Sequence, residues 1–121
     1  MEKLIEIANQ SFYHAKIDQL VNTIVQHNNC AVIIAEEDFL KWIALGIDLF
    51  DGKIYQIILV TNNLNVFYDT LKGKSVLLLA ASDFAEGINL AIQSKEISNH
   101  IICVSSKNKS EILEKINLLI K

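Results

Sequence analysis

Apolar positions along this chain follow two rhythms. Four short runs are apolar at nearly every position: Cys30-Ala31-Val32-Ile33-Ile34-Ala35, Ile54 to Val60, Val76 to Ala81, and Ile101 to Val104. Each is bounded by polar turn residues, and three of the four are rich in Val and Ile, which predicts strands buried on both faces, as in the middle of a parallel sheet. Elsewhere apolar residues recur at three- and four-residue steps, the helical period. Phe39, Trp42, Ile43, Leu45, Ile47 and Leu49 follow the first strand in this way. Asn65 to Leu71 makes a short helix, Phe84 to about Ile97 a longer one, and Ser110 to Ile120 a last one with Ile112, Leu113, Ile116, Leu119 and Ile120 on one side.

The longest helical pattern comes first, over residues 2–27. Leu4, Ile5, Ala8 and Phe12, then Ile17, Leu20, Val21 and Ile24, form one stripe, with Glu6, Gln10, Lys16, Gln19 and Gln26 opposite. The stripe slips by one residue near Tyr13-His14, so the predicted helix bends or wraps around its neighbour. His27-Asn28-Asn29 ends it, because Asn tolerates the left-handed conformation of a helix stop. Helices and strands then alternate with short connections. This predicts an α/β protein: a three-layer αβα sandwich around a mostly parallel sheet of about four strands, headed by a long N-terminal helix. Its 121 residues suit one domain over 1–121.

Composition narrows the class. Apolar residues make up 51% of the chain, enough for a packed globule. No run approaches the ~20 residues that cross a bilayer. The opening Met1-Glu2-Lys3-Leu4-Ile5-Glu6 lacks the parts of a signal peptide, so a soluble, cytoplasmic protein without a membrane partner is expected. Cys30 and Cys103 sit in apolar runs with no C-x-x-C pair, and read as buried free thiols. The net charge is −3 and all eleven cationic side chains are lysines. Without arginine's planar fork, sequence-specific nucleic-acid reading is not expected.

Ligands of open parallel sheets collect beyond the carboxyl ends of the strands. Four stretches fall there: Glu36-Glu37-Asp38, Thr61-Asn62-Asn63, Ser82-Asp83 and Ser105-Ser106-Lys107. Hydroxyls and helix amides suit a phosphate, whereas the three acids repel one unless a cation intervenes. Strand-end capping accounts for the same hydroxyls. His14, His27 and His100 pair with no carboxylate or cysteine at metal spacing, so neither a metal nor a cofactor is expected. Trp42 and Phe39, one turn apart, fit the core or a dimer contact.

Residues 75–106 join a strand, a polar turn, a helix and a second strand into a complete βαβ unit. The helix carries Leu90-Ala91-Ile92-Gln93-Ser94-Lys95-Glu96 and the strand ends Ile101-Ile102-Cys103-Val104-Ser105. This unit resembles the second half of a sugar isomerase (SIS) phosphosugar-binding domain, a family whose members, phosphoheptose isomerases included, begin with a long helix before the first strand. A flavodoxin-like protein begins with a strand instead. The resemblance implies a phosphosugar site, carries over Ser82 alone from the family's turn, and implies association into a homodimer or higher homo-oligomer through the helices. As a phosphosugar-binding protein or isomerase, the chain is expected to hold a sugar phosphate with Thr61, Ser82 and Ser105 and to use Glu36 or Glu37 as the proton-shuttling base.

Two departures bear on that activity. The family's glycine- and serine-rich turn after the first strand is replaced by Ala35-Glu36-Glu37-Asp38-Phe39, and the turn Ala81-Ser82-Asp83-Phe84 keeps one hydroxyl. The leading expectation is therefore a small SIS-like domain without catalysis, acting as a protein-interaction or regulatory module. The alternative is a phosphosugar-binding protein or isomerase. A receiver domain is a further alternative, since acids follow the first strand, but the strand Val76–Ala81 does not end in the aspartate that receivers phosphorylate.

Overall fold

The structure, a computed structural model, describes residues 2–7, 9–20, 30–45, 54–67, 69, 76–93, 100–105 and 109–119. Six strands form one mixed sheet: β1 (Glu2–Ile7), β2 (Gln10–Ala15), β3 (Cys30–Ala35), β4 (Ile54–Val60), β5 (Leu77–Ala81) and β6 (His100–Val104). Three helices accompany them: α1 (Glu36–Leu45), α2 (Phe84–Gln93) and α3 (Lys109–Leu119). Short 3-10 turns occupy Ile17–Gln19 and Leu64–Phe67. The sheet order is β1-β2-β6-β3-β4-β5, with β1 antiparallel to β2 and every other pair parallel.

The α/β class and the mostly parallel sheet agree with the pattern, and all four apolar runs are strands, but the run at Val76–Ala81 is corrected in place: β5 is an edge strand with Leu77 exposed. The predicted N-terminal helix is corrected: its first half is a β-hairpin, which brings the strand count to six. Ile7 faces Gln10 across the turn, and Asn9 takes a φ of 71°, a left-handed conformation that Asn tolerates. A β-bulge explains why the hairpin reads as a helix. The register jumps between Lys3 and Ile5, leaving Leu4 as an extra residue, and Leu4, Ile5 and Ile7 all pack against the same core. Adjacent apolar residues sharing one face imitate the helical period. Gln10, assigned by the pattern to a solvated face, is buried and donates from Nε2 to the Ala91 carbonyl of α2 at 2.8 Å. Residues 21–27 of the predicted helix lie outside the described residues, as do Ser106 and Lys107 of the fourth strand-end stretch.

The predicted helix from Asn65 is a 3-10 turn over Leu64–Phe67, with most of its remainder outside the described residues. α2 and α3 begin within a residue of their predicted starts.

Alternation along β3 and β6 feeds two cores. Val32 and Ile34 of β3 face one side with Phe39, Trp42 and Phe67; Ala31 and Ile33 face the other with Ile88 of α2 and Ile116 of α3. The chain steps from β3 through α1 to β4, and through Leu64–Phe67 to β5, with both connections on the first side. It then returns through α2 on the second side to insert β6 between β2 and β3. α1 leaves β3 toward one face while α3 follows β6 on the other, so a crevice opens beyond their carboxyl ends. Lys3 and Glu6 form a 2.7 Å ion pair on the outer strand β1, where exposed charge discourages pairing with another sheet. Both cysteines are buried free thiols, and burial pushes the Cys103 thiol up to about 12. Among the described residues no helix is long and apolar enough to cross a membrane.

Candidate functional site

The crevice holds a hollow of about 240 Å³ lined by Ala35, Val60, Glu37 and Asp38, by Ser82, Asp83 and Phe84, and by Ser105 and Lys115. Four strand ends and the first turn of α1 therefore contribute to one space. Of the sequence-derived candidates it unites Glu37, Ser82 and Ser105. Glu36 lines an adjoining shallow depression with Glu37 and Leu40. Thr61 is taken up by its own turn: its N–H donates to the Ala81 carbonyl at 3.1 Å, and Oγ1 accepts the Asn63 N–H at 3.0 Å.

The hydroxyls at the hollow have structural work. Ser82 Oγ donates to Glu86 Oε2 at 2.8 Å, and Asp83 Oδ1 accepts the Glu86 N–H at 2.8 Å. Asp83 is thus the residue that caps α2, with Glu86 three positions on turned back toward Ser82. Ser105 is buried and its N–H donates to the Ala15 carbonyl at 3.2 Å, tying the end of β6 to the end of β2. A ring nitrogen of His14 lies 3.3 Å from the Ser105 carbonyl oxygen. His14 was placed mid-helix by the periodicity; the hairpin carries it to the carboxyl end of β2 instead.

Asp38 is the residue that sequence reasoning passed over. It is 3% exposed, and burial, the largest influence, raises its carboxyl above the ordinary aspartate range; Lys41 lowers it and Glu37 raises it further. The helical period carried the signal: Asp38 and Phe39 precede Trp42 and Ile43 by four residues, so a carboxylate interrupts the apolar stripe of α1. Lys115, at the hollow's other wall, lies over the Phe84 ring with Nζ 5.7 Å from its centroid.

No protein-family profile matches the chain, and no curated protein matches it. Its fold does recur among solved structures. A domain from a protein provisionally assigned as a UDP-N-acetylmuramate:L-alanyl-gamma-D-glutamyl-meso-diaminopimelate ligase of Haemophilus ducreyi is similar with a TM-score of 0.61, over 99% of this chain and 98% of that one, at 13% identity. The likeness is one of fold.

The chemistry open to the site follows from its charges. Among the described residues Glu37, Asp38 and Asp83 face Lys115 across the hollow, a poor setting for an anion. Among the described residues no group of three or more His, Cys, Asp or Glu side chains converges as metal ligands do. A pH dependence follows from Asp38. The unfolded chain releases this proton at the ordinary aspartate value, and the folded protein holds it to higher pH. Its contribution to stability is therefore greatest in acid, falls as pH rises through the window between the two values, and stays lower above it. In urea unfolding, Asp38→Asn is expected to gain stability relative to the parent at about pH 7 and to lose that gain in acid. An equal difference at both pH values would refute this account.

Proposed function

We propose that this chain is a SIS-like module, a three-layer αβα sandwich, that acts through protein contacts in a regulatory or interaction role and does not turn over a sugar phosphate. One observation carries the reading. The turns that hold phosphate in a phosphosugar site are here given to capping and charge: Ser82 is bonded to Glu86, Thr61 accepts the Asn63 N–H, and Glu37, Asp38 and Asp83 surround the place a phosphate needs. Among the described residues a dianion there meets carboxylates and one lysine, and the chain has no arginine to pair with it. Use as a contact module fits the exposed Leu40 of α1 and Leu118 of α3, which are 54% and 69% accessible. Helix-mediated homodimers of this kind are the expected assembly.

The rival reading, a phosphosugar-binding protein or isomerase with Glu37 as base, draws support from Ser82 and Ser105 lining one hollow with that carboxylate. Thermal unfolding against a panel of sugar phosphates separates the two. A competent site at 100 times its dissociation constant adds about 2.7 kcal/mol, a rise in Tm on the order of 10 °C for a chain this size. We expect no member of the panel to shift Tm. A rise of that size would establish the rival.

A further inference from the structure

We infer that the hollow beyond β3, β4, β5 and β6 binds a small organic ammonium compound, with Asp38 taking the cationic group. This inference stands independently of the protein-contact reading. Three observations converge on it. The hollow lies where the strand order reverses, the place where open parallel sheets collect small ligands. Asp38 lines it, is 97% removed from solvent by its 3% exposure, and among the described residues has neither a hydrogen-bond partner nor an ion pair. A carboxylate largely withdrawn from water and without a hydrogen bond gains from a cationic donor placed in the hollow.

The charges around Asp38 fit the same ligand. On its own helix Glu37 adds a second negative charge, while Lys41 is exposed and makes no ion pair with it. From the turn after β5, Asp83 lines the hollow, and from α3 comes Lys115, whose ammonium rests on the Phe84 ring. The amino end of α1 would oppose a cation, and its first turn offsets that field with Glu36, Glu37 and Asp38. An ammonium group has three donors. Ser82 Oγ, already donating to Glu86, has lone pairs left to accept one of them. Ala35, Val60 and Phe84 supply apolar wall for a carbon skeleton, which a hydrated metal ion would not use. At about 240 Å³ the space suits a compact molecule and falls below the roughly 300–1,000 Å³ of drug-sized sites.

Three probes of one size and different charge decide the matter: propylammonium, propanol and propionate. Each is titrated into the full chain while the Asp38 carboxyl carbon and the Ser82 and Ser105 amides are followed by NMR. Propylammonium is expected to move all three signals saturably, with a dissociation constant in the ~millimolar range for so small a ligand, and the other two probes to leave them in place. Asp38→Asn, an isosteric change, is expected to weaken propylammonium at least tenfold. A response common to all three probes, no response to propylammonium, or undiminished binding by the Asn variant each overturns the inference. The parent-protein titration decides it even if that variant fails to fold.

Discussion

Phe39→Ala is expected to lower the unfolding free energy by about 3–5 kcal/mol, the usual cost of emptying an aromatic site in a packed core. Phe39 is fully buried and sits between two other rings. Its centroid is 5.8 Å from Trp42 at 83° and 5.5 Å from Phe67 at 68°, both edge-to-face arrangements. Such pairs add about 0.5–1.5 kcal/mol each beyond area burial. Phe39 also joins α1 to the turn at Leu64–Phe67, so its loss loosens two connections on one face of the sheet. Urea unfolding followed by Trp42 fluorescence reads the change at the site itself. Leu40→Ala is the control: at 54% exposure it should stay within about 0.5 kcal/mol. A loss below about 1 kcal/mol for Phe39→Ala would mean that this aromatic group does not organise the face.

Gly87→Ala is the second large effect, and its sign is informative. On an exposed helix the change would stabilise by about 1 kcal/mol. Here a Cβ would stand 2.9 Å from Ile33 Cγ2 and 3.4 Å from Ile58 Cγ2. Both isoleucines are fully buried in the middle of the sheet and have little room to yield. Overpacking of this kind costs about 1–3 kcal/mol, so a net destabilisation is expected. Ile33→Ala removes the methyl that clashes. The two changes together should therefore cost less than their sum, with a coupling of at least about 0.5 kcal/mol in a double-mutant cycle. Strict additivity would show that α2 moves away from the sheet instead of pressing on it.

β3 and β6 were legible because they are buried along almost their whole length. A run such as Cys30–Ala35 is apolar on both faces, so no knowledge of its neighbours is needed to read it. β1 and β2 were not legible for the opposite reason. β1 is an edge strand with Lys3 and Glu6 exposed, polar residues such as Gln10 and Ser11 are buried in β2, and the bulge at Leu4 breaks the two-residue period that marks such strands. Asn9 held the missing signal, a residue suited to a left-handed turn in the middle of a supposed helix. Of the candidate site, the stretches after the strands were legible as places, but the partners of their side chains were not. Ser82 and Thr61 read either as ligand groups or as strand-end caps and are bonded locally; Asp38 looked like one of three helix-start acids and is the one withdrawn from water.

The resemblance to SIS domains rested partly on a long N-terminal helix. With a hairpin in the place of its first half, that resemblance draws on the 75–106 unit alone, of which the structure describes both strands, the turn and most of the helix. By itself the sequence determined the α/β class, the strands β3 to β6 and the starts of the later helices, because hydrophobic period is a local property. Only the tertiary structure decided that β6 enters between β2 and β3, that the chain begins as a hairpin, and that Asp38 shares a hollow with residues up to Lys115. Those are contacts between residues far apart in the chain, and a local pattern of apolar and polar positions does not encode which distant surfaces meet.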